Sequence, residues 1–304
     1  MHTKIPVVDL VKVNKSFGSV KAVDDLSFTV NKGELFGLLG PNGAGKTTSI
    51  RLMLDILKPD IGEVFIFGEK LNEQIKQRIG YMPEERGLYQ DIKLERVLIY
   101  LASLKGMEPV AARQQMLEYL DRFDLTNYRK KKVKELSRGM QQKAQVIATA
   151  LHQPELIIID EPFIGLDPIN TQLVKDLMLE LKNNGTTIIM STHQLNKVEE
   201  LCNRLLFLNN GKAAFYGKLE DIQREYSGKT ILVKTLNDLP MINGIQSTLI
   251  HNSMYRLELM HDIHPQEILW ELLRQNVKVD KFEIETPGLE EIFIKVILGD
   301  NRKL

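Results

Sequence analysis

A chain of 304 residues, 43% hydrophobic and 26% charged, is long enough for one large domain or two ordinary ones and too apolar for wholesale disorder. Lys and Arg number 40, as do Asp and Glu, and this zero net charge argues against a dedicated nucleic-acid binder. The single Cys202 excludes an internal disulfide, no apolar run approaches the ~18–20 residues that span a bilayer, and the Met1–Pro6 start does not read as a signal peptide.

Val7 to Val13 and Val20 to Val30, valine-rich and partly alternating, read as strands. Leu35 to Leu39 is a short apolar run that fits a buried strand, followed by a glycine-rich loop and a helix over about Lys46 to Leu57. Glu63 to Phe67 reads as a further strand. Apolar residues at Leu94, Val97, Leu98, Leu101 and Leu104 predict a helix, and a second covers about Val110 to Phe123. The basic run Arg129 to Lys132, without interleaved aromatics, reads as a solvated face.

Strand and helix then alternate: Leu156 to Ile159, Pro168 to Lys182, Thr186 to Ser191 and Gln194 to Cys202. Such alternation predicts an α/β fold with a largely parallel sheet. Asn209-Asn210-Gly211 marks a hairpin between Leu205–Leu208 and Lys212–Tyr216. We place the first domain at 1–225, with a helical subdomain over about 85–152. A small α+β domain, 226–304, follows. Its strands are Thr230–Lys234, Gln246–His251, Met254–Met260 and Val277–Ile284, with helices at Pro265–Gln275 and Leu289–Leu298, a pattern compatible with a ferredoxin-like topology. Within it His251, His261 and His264 match no zinc spacing and read as scattered, and Trp270 reads as core or dimer contact. His2, His152 and Cys202 read as structural.

The glycine loop is Gly40-Pro41-Asn42-Gly43-Ala44-Gly45-Lys46-Thr47-Thr48, which fits G-x-x-x-x-G-K-[ST] between a strand and a helix. Glycines let successive N–H groups curl toward phosphate oxygens, and the helix N-terminus adds its dipole. Lys46 supplies a mobile charge for the β/γ phosphates, and the Thr47 hydroxyl is a Mg²⁺ ligand. At the end of the run Leu156 to Ile159 stand two carboxylates, Asp160 and Glu161. Asp160 suits Mg²⁺, and Glu161 suits proton acceptance from an attacking water. Between these motifs, Leu136-Ser137-Arg138-Gly139-Met140-Gln141-Gln142 opens a helix over about Met140 to Leu151. Ser137 and Gly139 at its start form a potential anion site.

These motifs, in this order, resemble the nucleotide-binding subunit of an ABC transporter. Gly40 to Thr48 is similar to the Walker A, Leu156 to Glu161 to the Walker B and Leu136 to Gln141 to the signature. Gly165-Leu166-Asp167 is similar to the D-loop and Ser191-Thr192-His193 to the switch histidine. The resemblance covers about Val7 to Gly217 and implies a P-loop ATPase core. It implies that two subunits, as a homodimer or with a second ATPase subunit, pair head-to-tail around two ATP molecules. Lys46 of one would hold the γ-phosphate that Ser137 and Gly139 of the other also touch. His193 would contact that phosphate, Phe17 would stack on adenine, and Asp167 would join the nucleotide site. Glu84 stands where the family usually has glutamine, as a Mg²⁺ ligand for which Glu85 competes. The signature carries Arg138 and Met140 in place of commoner Gly and Gln, and Ile164 replaces the usual serine.

Pro83 to Tyr89 and the closing segment Thr286 to Phe293 are similar to a bacterial exporter subgroup, the sodium-extrusion and drug-resistance type. The implied partner is a polytopic membrane permease, with the chain peripheral on the cytoplasmic face and no nucleic-acid partner. The alternative is a soluble ABC ATPase acting on nucleic acid or the ribosome.

Overall fold

The computed structural model describes residues 5–85, 87–227, 230–235, 239–251, 254–260 and 262–297. The chain divides into two units, Met1–Tyr216 and Gly217–Leu304. The sequence carries the first unit to 225. The structure instead gives the polar helix Leu219–Tyr226 to the second, where Leu219 and Ile222 are buried.

In chain order the first unit contains β1 (Val8–Phe17), β2 (Val20–Val30), β3 (Leu35–Leu39), α1 (Lys46–Met53), β4 (Ile61–Ile66), α2 (Glu73–Gln77) and β5 (Ile79–Met82). The helical stretch follows with α3 (Leu94–Leu104), α4 (Pro109–Arg122) and α5 (Arg138–Ala150). Then come β6 (Leu156–Asp160), α6 (Pro168–Asn183), β7 (Thr187–Ser191), α7 (Leu195–Leu201), β8 (Arg204–Asn209) and β9 (Lys212–Lys218).

β2, β1 and β4 form an antiparallel sheet, and the main sheet runs β5-β6-β7-β3-β8-β9. Its pairs β5/β6, β6/β7, β7/β3 and β3/β8 are parallel. Every residue of β3, β6 and β7 is buried, which is why these strands read as continuous apolar runs rather than alternating ones. Register places Asp160 beside Ser191 and Ser191 beside Leu38, so the carboxyl ends of three adjacent strands come level. A ligand site of an open parallel sheet lies at such an edge. One buried core, including Leu10, Phe28, Phe36, Ile50, Met53 and Ile158, joins the two sheets and α1.

α1 stops four residues short of the expected Leu57. Asp55 turns left-handed at φ +57°, and the amides of Ile56 and Leu57 both donate back to the Arg51 carbonyl. That geometry closes the helix although the apolar pattern continues.

The second unit contains α8 (Leu219–Tyr226), β10 (Thr230–Thr235), β11 (Ile245–His251), β12 (Met254–Leu259), α9 (Pro265–Arg274), β13 (Val279–Ile284) and α10 (Leu289–Ile297). Its sheet is antiparallel with order β11-β12-β10-β13, the strand order of a ferredoxin-like fold. The connection from β10 to β11 carries no helix among the described residues. Ile231, Val233, Leu257, Leu259, Ile268 and Leu272 form its core. Trp270, 68% exposed, is not part of it. His264 precedes α9, His251 ends β11, and His261 lies outside the described residues. Among the described residues no helix is long and apolar enough to cross a membrane.

Candidate nucleotide site

The loop between β3 and α1 needs its glycines. At Gly45, φ +105°, a Cβ would stand 2.3 Å from the Ala22 carbonyl oxygen; at Gly40, φ +148°, it would stand 2.3 Å from that of Leu208. Both positions therefore refuse any side chain. Gly45 also gives α1 no side-chain cap, so its first-turn N–H groups stay available to an anion. Lys46 folds back on the loop. Its Nζ donates to the Gly40 carbonyl at 2.7 Å and to the Pro41 carbonyl at 3.1 Å. Burial lowers the Lys46 ammonium, and Glu161, Asp160 and Glu84 pull the other way.

Residues 42–48, Ala22, Glu84, Asp160, Glu161 and His193 line one open cleft of about 540 Å³. Five separate segments thus meet at the carboxyl edge of the sheet. Of the residues expected here, Gly40 and Pro41 contribute only the carbonyls that hold Lys46, and Glu85 does not line the cleft whereas Glu84 does. Phe17, at the end of β1, is 50% exposed, with Lys15 Nζ 5.8 Å from its ring centroid. It is a surface ring rather than a core one.

The Thr47 hydroxyl donates to Asp160 Oδ2 at 3.3 Å. Burial raises the Asp160 carboxyl, the Ser191 hydroxyl pulls it down, and Glu84 and Glu161 add like-charge repulsion. A hydroxyl, a buried carboxylate and a second carboxylate in one cleft are hard oxygen donors, and their crowding favours a divalent cation. The set fits Mg²⁺, which takes one or two protein oxygens and completes its shell with phosphate and water.

Glu161 follows β6 in the left-handed region, φ +53°, with its amide on the Ser191 carbonyl at 2.8 Å. Such backbone strain in a non-glycine residue persists only where the surroundings enforce it. Here they do. Thr192 Oγ1 donates to Glu161 Oε2 at 2.9 Å, and the His193 amide donates to Oε1 at 2.9 Å. His193 Nδ1 lies 2.6 Å from the same Oε1. Gln142 Nε2 of α5 donates to the carbonyls of Glu161 and Pro162 at 3.3 and 3.1 Å. One turn on, Gln145 Nε2 donates to the carbonyls of Pro83 and Glu85 at 2.8 and 3.2 Å. The same helix face therefore grips the Glu161 turn and the Glu84 loop. The sequence reading missed Thr192, Gln142 and Gln145 as site residues. Their signal was a hydroxyl beside the histidine and two glutamines at i, i+3 behind the signature.

Ser137 and Gly139 stand apart from this cleft. Ser137 Oγ caps α5 by accepting from the Met140 amide at 3.3 Å. A Cβ on Gly139 would lie 3.2 Å from the Gly165 carbonyl, so the signature turn abuts the segment 165–167. Asp167 caps α6: Oδ1 accepts from the Asn170 amide at 2.9 Å and Oδ2 from its side chain, bonds that hold its carboxyl below the usual range. Ile164 and Ile169 beside it are 42% and 82% exposed.

A phosphate-cradling loop, a carboxylate pair and a strand-end histidine on a β5-β6-β7-β3-β8-β9 sheet define the class as an ATP-binding cassette ATPase. The family model described as ABC transporter matches residues 23–164, and that described as ATP-binding protein DrrA1-3-like, C-terminal domain, matches residues 217–297. The chain is 42% identical over 288 residues to the uncharacterized ABC transporter ATP-binding protein YhaQ of Bacillus subtilis, covering 94% of this chain and 96% of that protein. It is 32% identical to the bacitracin transport ATP-binding protein BcrA of Bacillus licheniformis, covering 98% of this chain and 99% of the relative. A solved ATP-binding subunit of an ABC transporter superposes with TM-score 0.69 at 31% identity, covering 72% of this chain and 93% of that one. The chain belongs to the ABC transporter ATP-binding protein family. It is an ATPase subunit of a transporter.

Proposed function

We propose that the chain is the ATPase of an exporter that works on a separate membrane permease, and that two copies close head-to-tail on two Mg²⁺-ATP. The observation that carries the pairing is the separation within one chain: the cleft holds Lys46 and Glu161, while Ser137 and Gly139 lie with the 165–167 segment instead. A second copy supplies the missing half, and the exposed Ile164 and Ile169 give that contact an apolar centre. The export direction rests on the resemblance of Pro83–Tyr89 and Thr286–Phe293 to the exporter subgroup, and the names of the relatives specify transport without a direction.

In this reading Thr47, Asp160 and Glu84 would hold Mg²⁺, which would supply charge neutralisation of the phosphates. The N–H groups of residues 42–48 cradle the phosphates, and Phe17 stacks on the base. The γ-phosphate draws Lys46 off the Gly40 and Pro41 carbonyls. Glu161, aimed by Thr192 and the His193 amide, takes a proton from water as its oxygen attacks the γ-phosphorus. The bond to the β–γ bridging oxygen breaks, and ADP leaves. His193, 58% exposed at its side chain, is free to turn from Glu161 toward the γ-phosphate. The exposed Tyr89, Ile92 and Tyr100 line a groove of about 470 Å³ on the helical subdomain, a surface of the kind a permease segment covers.

For the second unit, the exposed Trp270 and Leu273 on one face of α9 leave contact between copies as the reading of Trp270. The proposal as a whole is tested by purifying the chain from solubilised native membranes. A polytopic permease in stoichiometric amount is expected. Recovery with ribosomes or nucleic acid, and without a membrane protein, contradicts it.

A further inference from the structure

The basic run 129–132 is solvated at Lys130, Lys131 and Lys132, as the sequence indicates, but it does not stand alone. Backbone bonds zip it to the segment leading into α3. The Leu94 amide donates to the Lys131 carbonyl at 2.9 Å and the Glu95 amide to Arg129 at 3.0 Å. The Val133 and Lys134 amides donate to Ile92 and Gln90, each at 3.0 Å. This pairing gathers Lys93, Arg96, Lys130, Lys131, Lys132 and Lys134 into one ridge, all exposed. Only Lys134 is matched by a carboxylate, Asp91 at 2.6 Å, and Arg129 behind it faces Glu95 at 3.9 Å. Among the described residues the other five make no ion pair within 4.0 Å, although Lys132 also helps hold the Asp91 carboxyl below its usual range.

The ridge also carries aromatic rings at its edge. Tyr89 and Tyr100 stand edge-to-face at 6.0 Å, about half exposed, and share one groove with Ile92, Lys93, Arg96 and Lys132. Lys131 Nζ lies 5.1 Å from the Tyr128 ring. Lysines dominate, and a lysine is a mobile point charge without the fixed fork that picks out a single anion. Such a group fits a diffuse, laterally mobile array of negative charge. Tyrosines beside it suit a boundary that is apolar on one side and wet on the other.

We propose that this ridge is a contact for the anionic headgroups of the membrane on which the permease sits. The inference rests on the reading that a permease holds the chain at a membrane, because a ridge flanking the docking groove then faces the bilayer. It adds a lipid partner that the ATP site does not require. It also reconciles a chain of zero net charge with a membrane surface, since the positive charge is local.

The test uses the full-length purified chain and permease-free vesicles, so it stands or falls separately from co-purification. Vesicles rich in phosphatidylglycerol should bind the chain at low salt and release it at high salt, while pure phosphatidylcholine vesicles should not bind it. The triple variant Lys130→Gln/Lys131→Gln/Lys132→Gln should lose about fivefold per lysine, roughly a hundredfold in all. A control removing exposed charges elsewhere, Lys12→Gln/Lys32→Gln, should bind like wild type. Equal melting temperatures and ATPase rates in the three proteins show that the fold is kept. Equal binding to both vesicle types, or equal losses in the triple variant and the control, overturns the proposal. So does a triple variant that keeps vesicle binding and fails only to capture the permease, which would assign the ridge to an acidic protein segment. Displacement by inorganic phosphate as effective as by phosphatidylglycerol vesicles would make it a simple anion site and also overturns it.

Discussion

Asp160 shows at one residue how the site trades stability for chemistry. Its carboxyl is raised by burial and by Glu84 and Glu161, so the fold favours the protonated form. The sign follows from linkage. A carboxyl whose folded value lies above its unfolded one binds more protons in the native state, so stability falls as pH rises through that range. Once ionised, Asp160 destabilises the nucleotide-free chain, and below the ordinary carboxyl value of about 4 the effect is gone. Asp160→Asn should therefore melt higher than wild type at pH 7–8 and lose this advantage in acid, while ATPase activity collapses. A lower melting temperature at pH 7 contradicts the account. His152 carries the opposite sign: burial first, and then Lys105, bring it down to about 4. Its neutral form is the folded one, so its contribution is present above about 6.5 and is lost as pH falls toward 4.

At the scale of elements, α5 is the part that joins the site. Its N-terminus carries Ser137 and Gly139, and its next turns hold Gln142 and Gln145 on carbonyls of the Glu161 turn and the Glu84 loop. In the proposed mechanism, phosphate contact at the signature and the pose of the Glu161 carboxylate are therefore linked through one helix. Gln142→Ala should lower kcat by about tenfold, the effect of misplacing a general base, with ATP affinity near wild type. A loss of ATP affinity with unchanged kcat would place Gln142 outside this linkage. The strands and the helix order were legible in the sequence because buried parallel strands are short apolar runs and the motifs punctuate them. Less legible elements have physical reasons. β5 is four residues including a glycine, too short for periodicity. α8 is polar apart from Leu219 and Ile222. α1 ends at a left-handed Asp55 that no pattern announces. The cleft residues Lys46, Thr47, Asp160 and Glu161 were legible from their motifs, and His193 from the family resemblance. Thr192 and Gln142 were not, because their roles lie in hydrogen bonds to a carboxylate and to carbonyls across the fold.

At the scale of the whole molecule, one chain presents two surfaces that the proposed pairing of two copies would bring together. One is the cleft, the other the signature turn beside 165–167 with exposed Ile164 and Ile169. The second unit adds a further face, Trp270 and Leu273 on α9. The double variant Trp270→Ser/Leu273→Ser should weaken ATP-dependent dimerisation several-fold with its melting temperature unchanged, because these side chains lie outside the core. Dimerisation equal to wild type would remove α9 from the interface.

Proton acceptance by Glu161 and enclosure of the nucleotide by two copies are tested together in one variant. The direct measurement is light scattering with nucleotide counting on Glu161→Gln in Mg²⁺-ATP. The variant should form a stable dimer with one ATP per chain and hydrolyse it about a hundredfold or more slowly than wild type. A monomer that binds ATP, or turnover at the wild-type rate, would contradict that expectation.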